Sequence, residues 1–166
     1  PWPSLADSPW PIAHGDVQCT RRSKYPGPRK GEVNWTFTDE HFENETSRVV
    51  IGSDGTIYFT ARIVNRAYLY ALNPNGSLKL KIELESSYAF TPIIGADDII
   101  YVITLFGPLY AFNSDGSIKW TYGTKINNWT DSPTIGLDGT IYFSDSNGIL
   151  YAVNHDGTLK WSNNEK

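Results

Sequence analysis

The chain alternates apolar and polar residues with a period of two, in short segments separated by turn residues. Near the end, for example, Leu159 and Trp161 alternate with Lys160 and Ser162. Such alternation is typical of a strand that buries one face. No segment repeats its apolar residues every 3.6 positions, the spacing of an amphipathic helix. The pattern therefore predicts an all-β chain.

These segments recur in a unit of about 40 residues. The phrase SDGTIYF at 53–59 returns as LDGTIYF at 137–143. A second phrase that begins Leu-Tyr-Ala follows, starting at Leu69, Leu109 and Leu150. Because both phrases keep their order and separation, the chain contains an internal repeat.

Each unit contains four apolar segments, which in the third unit span 132–136, 140–145, 149–154 and 158–163. Asp-Gly and Asn-Gly pairs stand between them because tight hairpins need a positive φ, which glycine adopts at little cost. A four-stranded antiparallel unit of this length has the size of a propeller blade. A lone blade exposes both faces, so neighbouring blades must stack to bury them.

The predicted fold class is an all-β, propeller-type stack of four-stranded antiparallel blades. We expect the chain to divide into a Pro-rich lead-in arm (1–30), a lone blade strand (31–37), a connection (38–48) and three complete blades (about 49–84, 91–124 and 132–166). Residues 31–37, which we call the orphan strand, align with the fourth strand of the blades. In this chain the last blade already has a fourth strand of its own.

The repeat resembles the pyrroloquinoline-quinone-type (PQQ-like) propeller repeat. The likeness rests on the pattern xxDGTIYxxxxxxxLYAxNxDGxLKW and on a Trp near the end of the fourth strand, here Trp120 and Trp161. In the first unit Leu80 stands in place of that Trp. Quinone enzymes of this family need a full ring, commonly of eight blades, a calcium ion near the axis and an Asp base. With three blades and one Cys, this chain is expected to be non-enzymatic, with no catalytic residue, cofactor or metal.

Three blades raise the question of how the ring is completed. Known propellers have about four to eight blades, so three cannot close with the usual twist. We expect copies of the chain to complete one another, as a multi-chain ring or a filament. The orphan strand would add to a neighbour's sheet through main-chain hydrogen bonds. The residues expected to mediate assembly are Glu32, Val33, Trp35, Phe37 and Trp161. A fragment of a longer PQQ-like propeller and an unusual closed monomer are the alternatives.

Four Asn-x-Ser/Thr sequons predict N-glycosylation, at Asn34, Asn44, Asn75 and Asn128. Asn75 has a second explanation, because it occupies the turn position that Asp residues hold in the other units. The chain also begins Pro-Trp-Pro and contains no Met, which we expect of a processed mature chain or of a fragment. These features together favour an extracellular or cell-surface protein.

The net charge of -4 and the absence of a basic run argue against nucleic acid and anionic membranes as partners. No apolar stretch approaches the roughly 18 residues of a membrane helix. Exposed aromatic residues could stack on sugars, so glycans are a second candidate partner. A glycan- or peptide-binding propeller module is therefore an alternative function.

The residues give little support for a disulfide, a metal site or a calcium loop. The single Cys19 excludes an intrachain disulfide and is expected to be inert. His14, His41 and His155 share no metal-ligand spacing and are expected at the surface. The acidic turns end after one Asp and a Gly, which is too few oxygen ligands for a calcium loop.

Overall fold

The computed structural model describes residues 6–7, 10–12, 31–39, 42, 45–123 and 131–164. Within these residues the chain forms twelve β-strands and no α-helix. In chain order the strands are β1 (Val50–Ile51), β2 (Ile57–Ile63), β3 (Arg66–Leu72), β4 (Leu78–Leu84), β5 (Ile93–Ile94), β6 (Ile100–Ile103), β7 (Leu109–Phe112), β8 (Ile118–Tyr122), β9 (Thr134–Ile135), β10 (Ile141–Ser144), β11 (Leu150–Val153) and β12 (Leu159–Ser162).

The strands form three four-stranded antiparallel sheets, in which consecutive strands are always neighbours. We call them blade 1 (β1–β4), blade 2 (β5–β8) and blade 3 (β9–β12). The third and fourth strands of every blade share a register shift at the same place, between Ala71 and Leu72 in blade 1, for example. The prediction of an all-β stack of four-stranded antiparallel blades is confirmed.

The turn between the third and fourth strands has the same design in each blade. In blade 3 a carboxylate oxygen of Asp156 accepts hydrogen bonds from the backbone N–H and the hydroxyl of Thr158, at 3.0 and 2.6 Å. In blade 1 the amide oxygen of Asn75 accepts the same two bonds from Ser77, at 3.0 and 2.7 Å. This side chain closes the turn over a glycine with positive φ, which is +88° at Gly157.

The apolar core lies between the blades. Leu69 of blade 1, which is 2% exposed, belongs to one buried cluster with Val102 and Phe112 of blade 2. Leu109 of blade 2 is fully buried and belongs to a second cluster with Phe143 of blade 3. Each blade therefore covers the apolar face of the one before it, as the repeat predicts.

The first strands form the inner edge of the stack, where β1 and β5 are in contact, whereas β4, β8 and β12 are largely exposed. Part of the lead-in arm lies along this inner edge. The N–H of Ile51 donates to the carbonyl of Trp10 at 2.6 Å, and the N–H of Ile94 donates to the carbonyl of Pro11 at 3.1 Å. Ala6 donates to the carbonyl of Ile94 at 3.2 Å and is buried. The described part of the lead-in thus bridges blades 1 and 2.

Blade stacking predicts different costs for the same substitution in blades 2 and 3. Leu109 and Leu150 occupy the same position of the repeat, but Leu109 is fully buried and Leu150 is 38% exposed. Leu109→Ala should lower the free energy of unfolding by about 2–5 kcal/mol because it leaves a cavity. Leu150→Ala should cost about 1 kcal/mol or less. Urea unfolding measures both, and equal costs would contradict the stacking of blade 3 over Leu109.

Candidate functional site

The two ends of the blade stack are the candidate functional site. Inside the stack, certain positions of the repeat contact the neighbouring blade. At the two ends, the side chains at these same positions are either exposed or covered by a segment that is not a blade. The contact between blades 2 and 3 shows what these side chains do when a neighbour is present.

The indole of Trp120 docks on the turn of the next blade. Its Nε1–H donates to the backbone carbonyl of His155 at 2.9 Å. The ring lies against Gly157, where an added Cβ would stand 2.8 Å from the Cδ2 atom of the indole. Glycine is therefore required here for two reasons: the backbone has a positive φ, and the indole leaves no room for a Cβ. This contact fixes how one blade sits on the next.

The equivalent contact between blades 1 and 2 uses aliphatic side chains. A Cβ at Gly116 would lie 3.1 Å from Leu80 and 3.0 Å from Ile82. Leu80, which departs from the Trp of the repeat, therefore still fills the space over the glycine of the next blade. It lacks the N–H that would anchor it to a backbone carbonyl.

Trp35 of the orphan strand docks on blade 1 in the same way. Its Nε1–H donates to the carbonyl of Pro74 at 3.1 Å, and its ring lies 2.5 Å from the position of a Cβ on Gly76. Pro74 and Gly76 correspond to His155 and Gly157 of blade 3. The orphan strand thus lies where the fourth strand of a preceding blade would lie.

Aromatic side chains after Trp35 cover the front face of blade 1. The ring centroids of Phe37 lie 6.4 Å from Phe59 and 5.9 Å from Tyr70, and those of Phe42 lie 6.3 and 5.4 Å from the same two rings. Tyr70 is fully buried as a result. Such edge-to-face contacts favour aromatic pairs. We call residues 31–39 together with Phe42 the front cap.

Asp39 anchors the front cap by electrostatics. Its carboxylate accepts hydrogen bonds from the hydroxyl of Tyr70 and from the Nζ of Lys81, both at 2.8 Å. Burial raises the pKa of Tyr70 to about 12, although Lys81 opposes the shift. Hydrogen bonds to Asp39 and Tyr70 raise the pKa of Lys81. The tyrosine is therefore a neutral donor and the lysine a cation over the whole physiological range.

The main chain of the orphan strand forms no hydrogen-bond ladder with any described strand. In the described part of the chain, residues 31–38 make no backbone hydrogen bond to a strand. Glu32 and Val33 are exposed, and Val33 is 78% exposed. Side chains alone hold this segment, because no described strand lies beside it to pair with it.

At the other end, blade 3 presents a face that no other described blade covers, which we call the back face. Trp161 corresponds to Trp120 but docks on no described blade, is 38% exposed and packs on Tyr142 of its own sheet at 6.0 Å. Leu150 is 38% exposed, whereas its counterpart Leu109 is fully buried. The back face therefore keeps the side chains of a blade contact without the contact.

The outer part of the back face is more polar than its counterparts. Ser144 and Asn163 stand where blade 2 has Ile103 and Tyr122. The amide oxygen of Asn163 accepts a hydrogen bond from the N–H of Leu150 at 2.9 Å, so the side chain closes this end of the sheet.

Charged side chains on the turns are paired within each blade. In blade 3 the Nζ of Lys160 donates to Asp138 at 2.8 Å and to the hydroxyl of Thr140 at 2.9 Å. The hydrogen bond from Lys160, with those from Thr140, lowers the pKa of Asp138. Asp54 and Lys79 make the same pair in blade 1 at 3.0 Å. Each of these carboxylates is thus paired with a lysine of its own blade.

His155 joins the corresponding cluster of blade 2 from across the blade contact. Its Nε2 lies 3.3 Å from a carboxylate oxygen of Asp97, and its Nδ1 lies 3.1 Å from the hydroxyl of Tyr101. The Nζ of Lys119 lies 3.3 Å from the same Nε2. His155 is exposed, as predicted, yet sequence reasoning missed these partners because blade stacking brings them together.

The other predicted site residues divide into two groups. Asn34 and Asn75 are exposed. Asn44, Asn128, Cys19, His14 and His41 lie outside the described residues.

The described residues contain neither a candidate metal site nor a candidate membrane-spanning helix. No cluster of three or more His, Cys, Asp or Glu side chains there could hold a metal ion. The same residues contain no helix with the length and apolar character needed to cross a membrane.

Comparison with known proteins agrees with the repeat. A family model of PQQ-like repeats, described as outer membrane protein assembly factor BamB, matches residues 26–166. The chain belongs to this family. The match includes the orphan strand and all three blades of this PQQ-like protein, so the resemblance in the repeat is confirmed. No curated protein matches the chain.

Two glycines of blade 3 provide a test of the docking contact. Gly157 and Gly139 both have positive φ, at +88° and +79°, but only Gly157 lies under an indole. Gly139→Ala should cost about 1–2 kcal/mol for the left-handed backbone. Gly157→Ala should cost about 1–3 kcal/mol more, because its methyl group displaces Trp120. Thermal or urea unfolding measures the difference, and equal costs would show that the docking contact contributes little.

Proposed function

We propose that this chain is a non-enzymatic assembly module whose copies join front to back into a propeller-type ring or filament. The front cap of one copy and the back face of another are the contacting surfaces. The single observation that carries this function is the condition of the orphan strand. It is docked on blade 1 like a fourth strand, yet its main chain pairs with no described strand.

The contacts inside the stack favour a second copy as the partner. The back face keeps Tyr142, Leu150 and Trp161, the residue types that blade 2 presents to blade 3. On the front of blade 1, Phe59 and Tyr70 form a stacked pair like Phe143 and Tyr151 of blade 3. Phe37 covers the first pair as Tyr122 of blade 2 covers the second. One end of the chain thus fits the other end of a second copy. Such a head-to-tail contact gives a ring if the rotation closes and a filament if it does not.

Two observations support a non-enzymatic role. The lead-in occupies the inner edge of blades 1 and 2, through the hydrogen bonds of Ile51 and Ile94. The resemblance places the calcium ion of the family's enzymes near the axis. The carboxylates of Asp54 and Asp138 are also committed to turns and to lysines. The engagement of these two carboxylates in turns and ion pairs supports a non-enzymatic role.

An extracellular or cell-surface setting forms part of this proposal. The family description refers to the assembly of outer membrane proteins, which takes place in the cell envelope. The exposed side chain of Asn34 is accessible to a glycosylating enzyme. Mass spectrometry of peptides from the native protein, covering Asn34, Asn44, Asn75 and Asn128, tests the glycosylation.

Light scattering over a range of protein concentrations tests the assembly. The wild-type chain should form multimers, and Trp35→Asp should weaken association by about tenfold or more, because a charge cannot replace the docked indole. Leu78→Asp is the matched control. Leu78 holds in β4 the position that Val33 holds in the orphan strand, and it is 49% exposed. Because β4 lies inside the stack and not at the proposed contact, this variant should associate normally, whereas Val33 and Glu32 contribute their main chains to that contact.

A wild-type chain that stays monomeric at every concentration would contradict the proposal. If that monomer retained a glycan or peptide on an array, the binding-module alternative would be favoured instead. Circular dichroism of each variant establishes that its blades are folded.

A further inference from the structure

We infer that assembly exchanges one strand between copies: residues 31–37 of one copy take the place of β12 in blade 3 of the next. This inference rests on the proposed function and specifies which main chains meet at the contact. The partner is a second copy of this chain, and its binding site is the edge of β11.

A contact between two blades has room for one fourth strand. Inside the stack, β8 pairs with β7 through its main chain and docks Trp120 on the next blade. Each internal fourth strand therefore has two contacts, a ladder on one side and a docked side chain on the other. When blade 3 of one copy meets blade 1 of another, two segments compete for that place.

Each competitor has one of the two contacts. The orphan strand docks Trp35 on Gly76 but has no ladder. Strand β12 has a ladder with β11, in which Ala152 pairs with Trp161, but Trp161 docks on no described blade. Joining two copies lets one of the segments make both contacts, and the other must leave.

The residue two positions after the docking residue decides between them. In blade 2 this is Tyr122, whose ring lies 6.0 Å from Phe143 and 6.4 Å from Tyr151 on the front of blade 3. The orphan strand has Phe37 at this place, and β12 has Asn163. If β12 replaced the orphan strand, the Asn163 amide, still bonded to the N–H of Leu150, would lie where Phe37 now contacts two aromatic rings. The edge-to-face contacts of Phe37 with Phe59 and Tyr70 would be lost.

The contacts that anchor the front cap also favour the orphan strand as the segment that stays. Displacing the orphan strand would remove Phe37 from Phe59 and Tyr70, and would disturb Asp39 between Tyr70 and Lys81. Displacing β12 breaks the exposed ion pair of Lys160 with Asp138 and the contact of Trp161 with Tyr142, while the incoming strand replaces its ladder on β11. The orphan strand is therefore the segment that stays in place.

The exchange preserves the ladder on β11 with one change in charge. Residues 33–37 of the incoming copy supply a fourth strand of the same type as 159–163. Asn34 comes to the place of Lys160, so the pair between Lys160 and Asp138 is lost. Exposed ion pairs contribute little to stability, and this loss does not prevent the exchange. The sequence predicts that Trp161 mediates assembly. In this exchange it would instead be displaced from the edge of β11 together with β12.

Hydrogen exchange with mass spectrometry, on dilute and on associated full-length protein, tests the inference directly. Association should protect the amides of residues 33–37 and speed the exchange of those of 159–162. Association with 159–162 still protected and 33–37 still fast would overturn the exchange while leaving the proposed function intact. A chain that does not associate at all would overturn both.

Point variants give a second readout with opposite signs. Trp161→Ala should associate at least as strongly as the wild type, because it weakens the hold of β12 on Tyr142, whereas Trp35→Ala should lose association. Leu159→Ala is the control and should associate as the wild type does. Leu159 is exposed on the same strand, and its counterpart Ile118 is exposed even beside a neighbouring blade. Loss of association in Trp161→Ala alone would show that β12 stays in place, and would overturn the inference.

Discussion

The packing of one side chain from a fourth strand on the glycine turn of the next blade is the contact on which the rest of this structure depends. Trp120 on Gly157 shows its full form, with an indole N–H on a backbone carbonyl and a ring where a Cβ would stand. The contact sets the distance between blades. It thereby decides which apolar side chains are buried between them and which remain exposed at the ends.

The same contact explains why the two ends of the chain differ. At the front, Trp35 supplies a docked side chain without a described blade behind it, and Phe37 with Phe42 covers the aromatic face. At the back, Trp161 belongs to a complete blade, packs on Tyr142 of its own sheet and docks on no other described blade. A ladder and a docked side chain are normally properties of one strand, and here they are divided between two segments. That division is the physical basis of the proposed assembly.

Much of the blade structure could be predicted from the sequence, because it depends on local rules. Period-two alternation predicts the strands, and Asp-Gly or Asn-Gly pairs predict the turns that Asp156 and Asn75 close. The front cap could not be predicted in the same way. Its contacts join Trp35 to Pro74 and Asp39 to Lys81, and they exist only once blade 1 has formed its face. The pairing of His155 with Asp97 likewise depends on stacking. The more polar back face is visible at Ser144 and Asn163, but only when the units are compared position by position.

An electron cryo-microscopy reconstruction of the associated protein would test the central claim most directly, by tracing the strand beside β11 at a contact between copies. The account predicts that this strand continues into residues 38–48 of the neighbouring copy, with Trp35 on Gly76 of that same neighbour. A strand that traces back through the turn at Gly157 to β11 of its own copy would contradict the account.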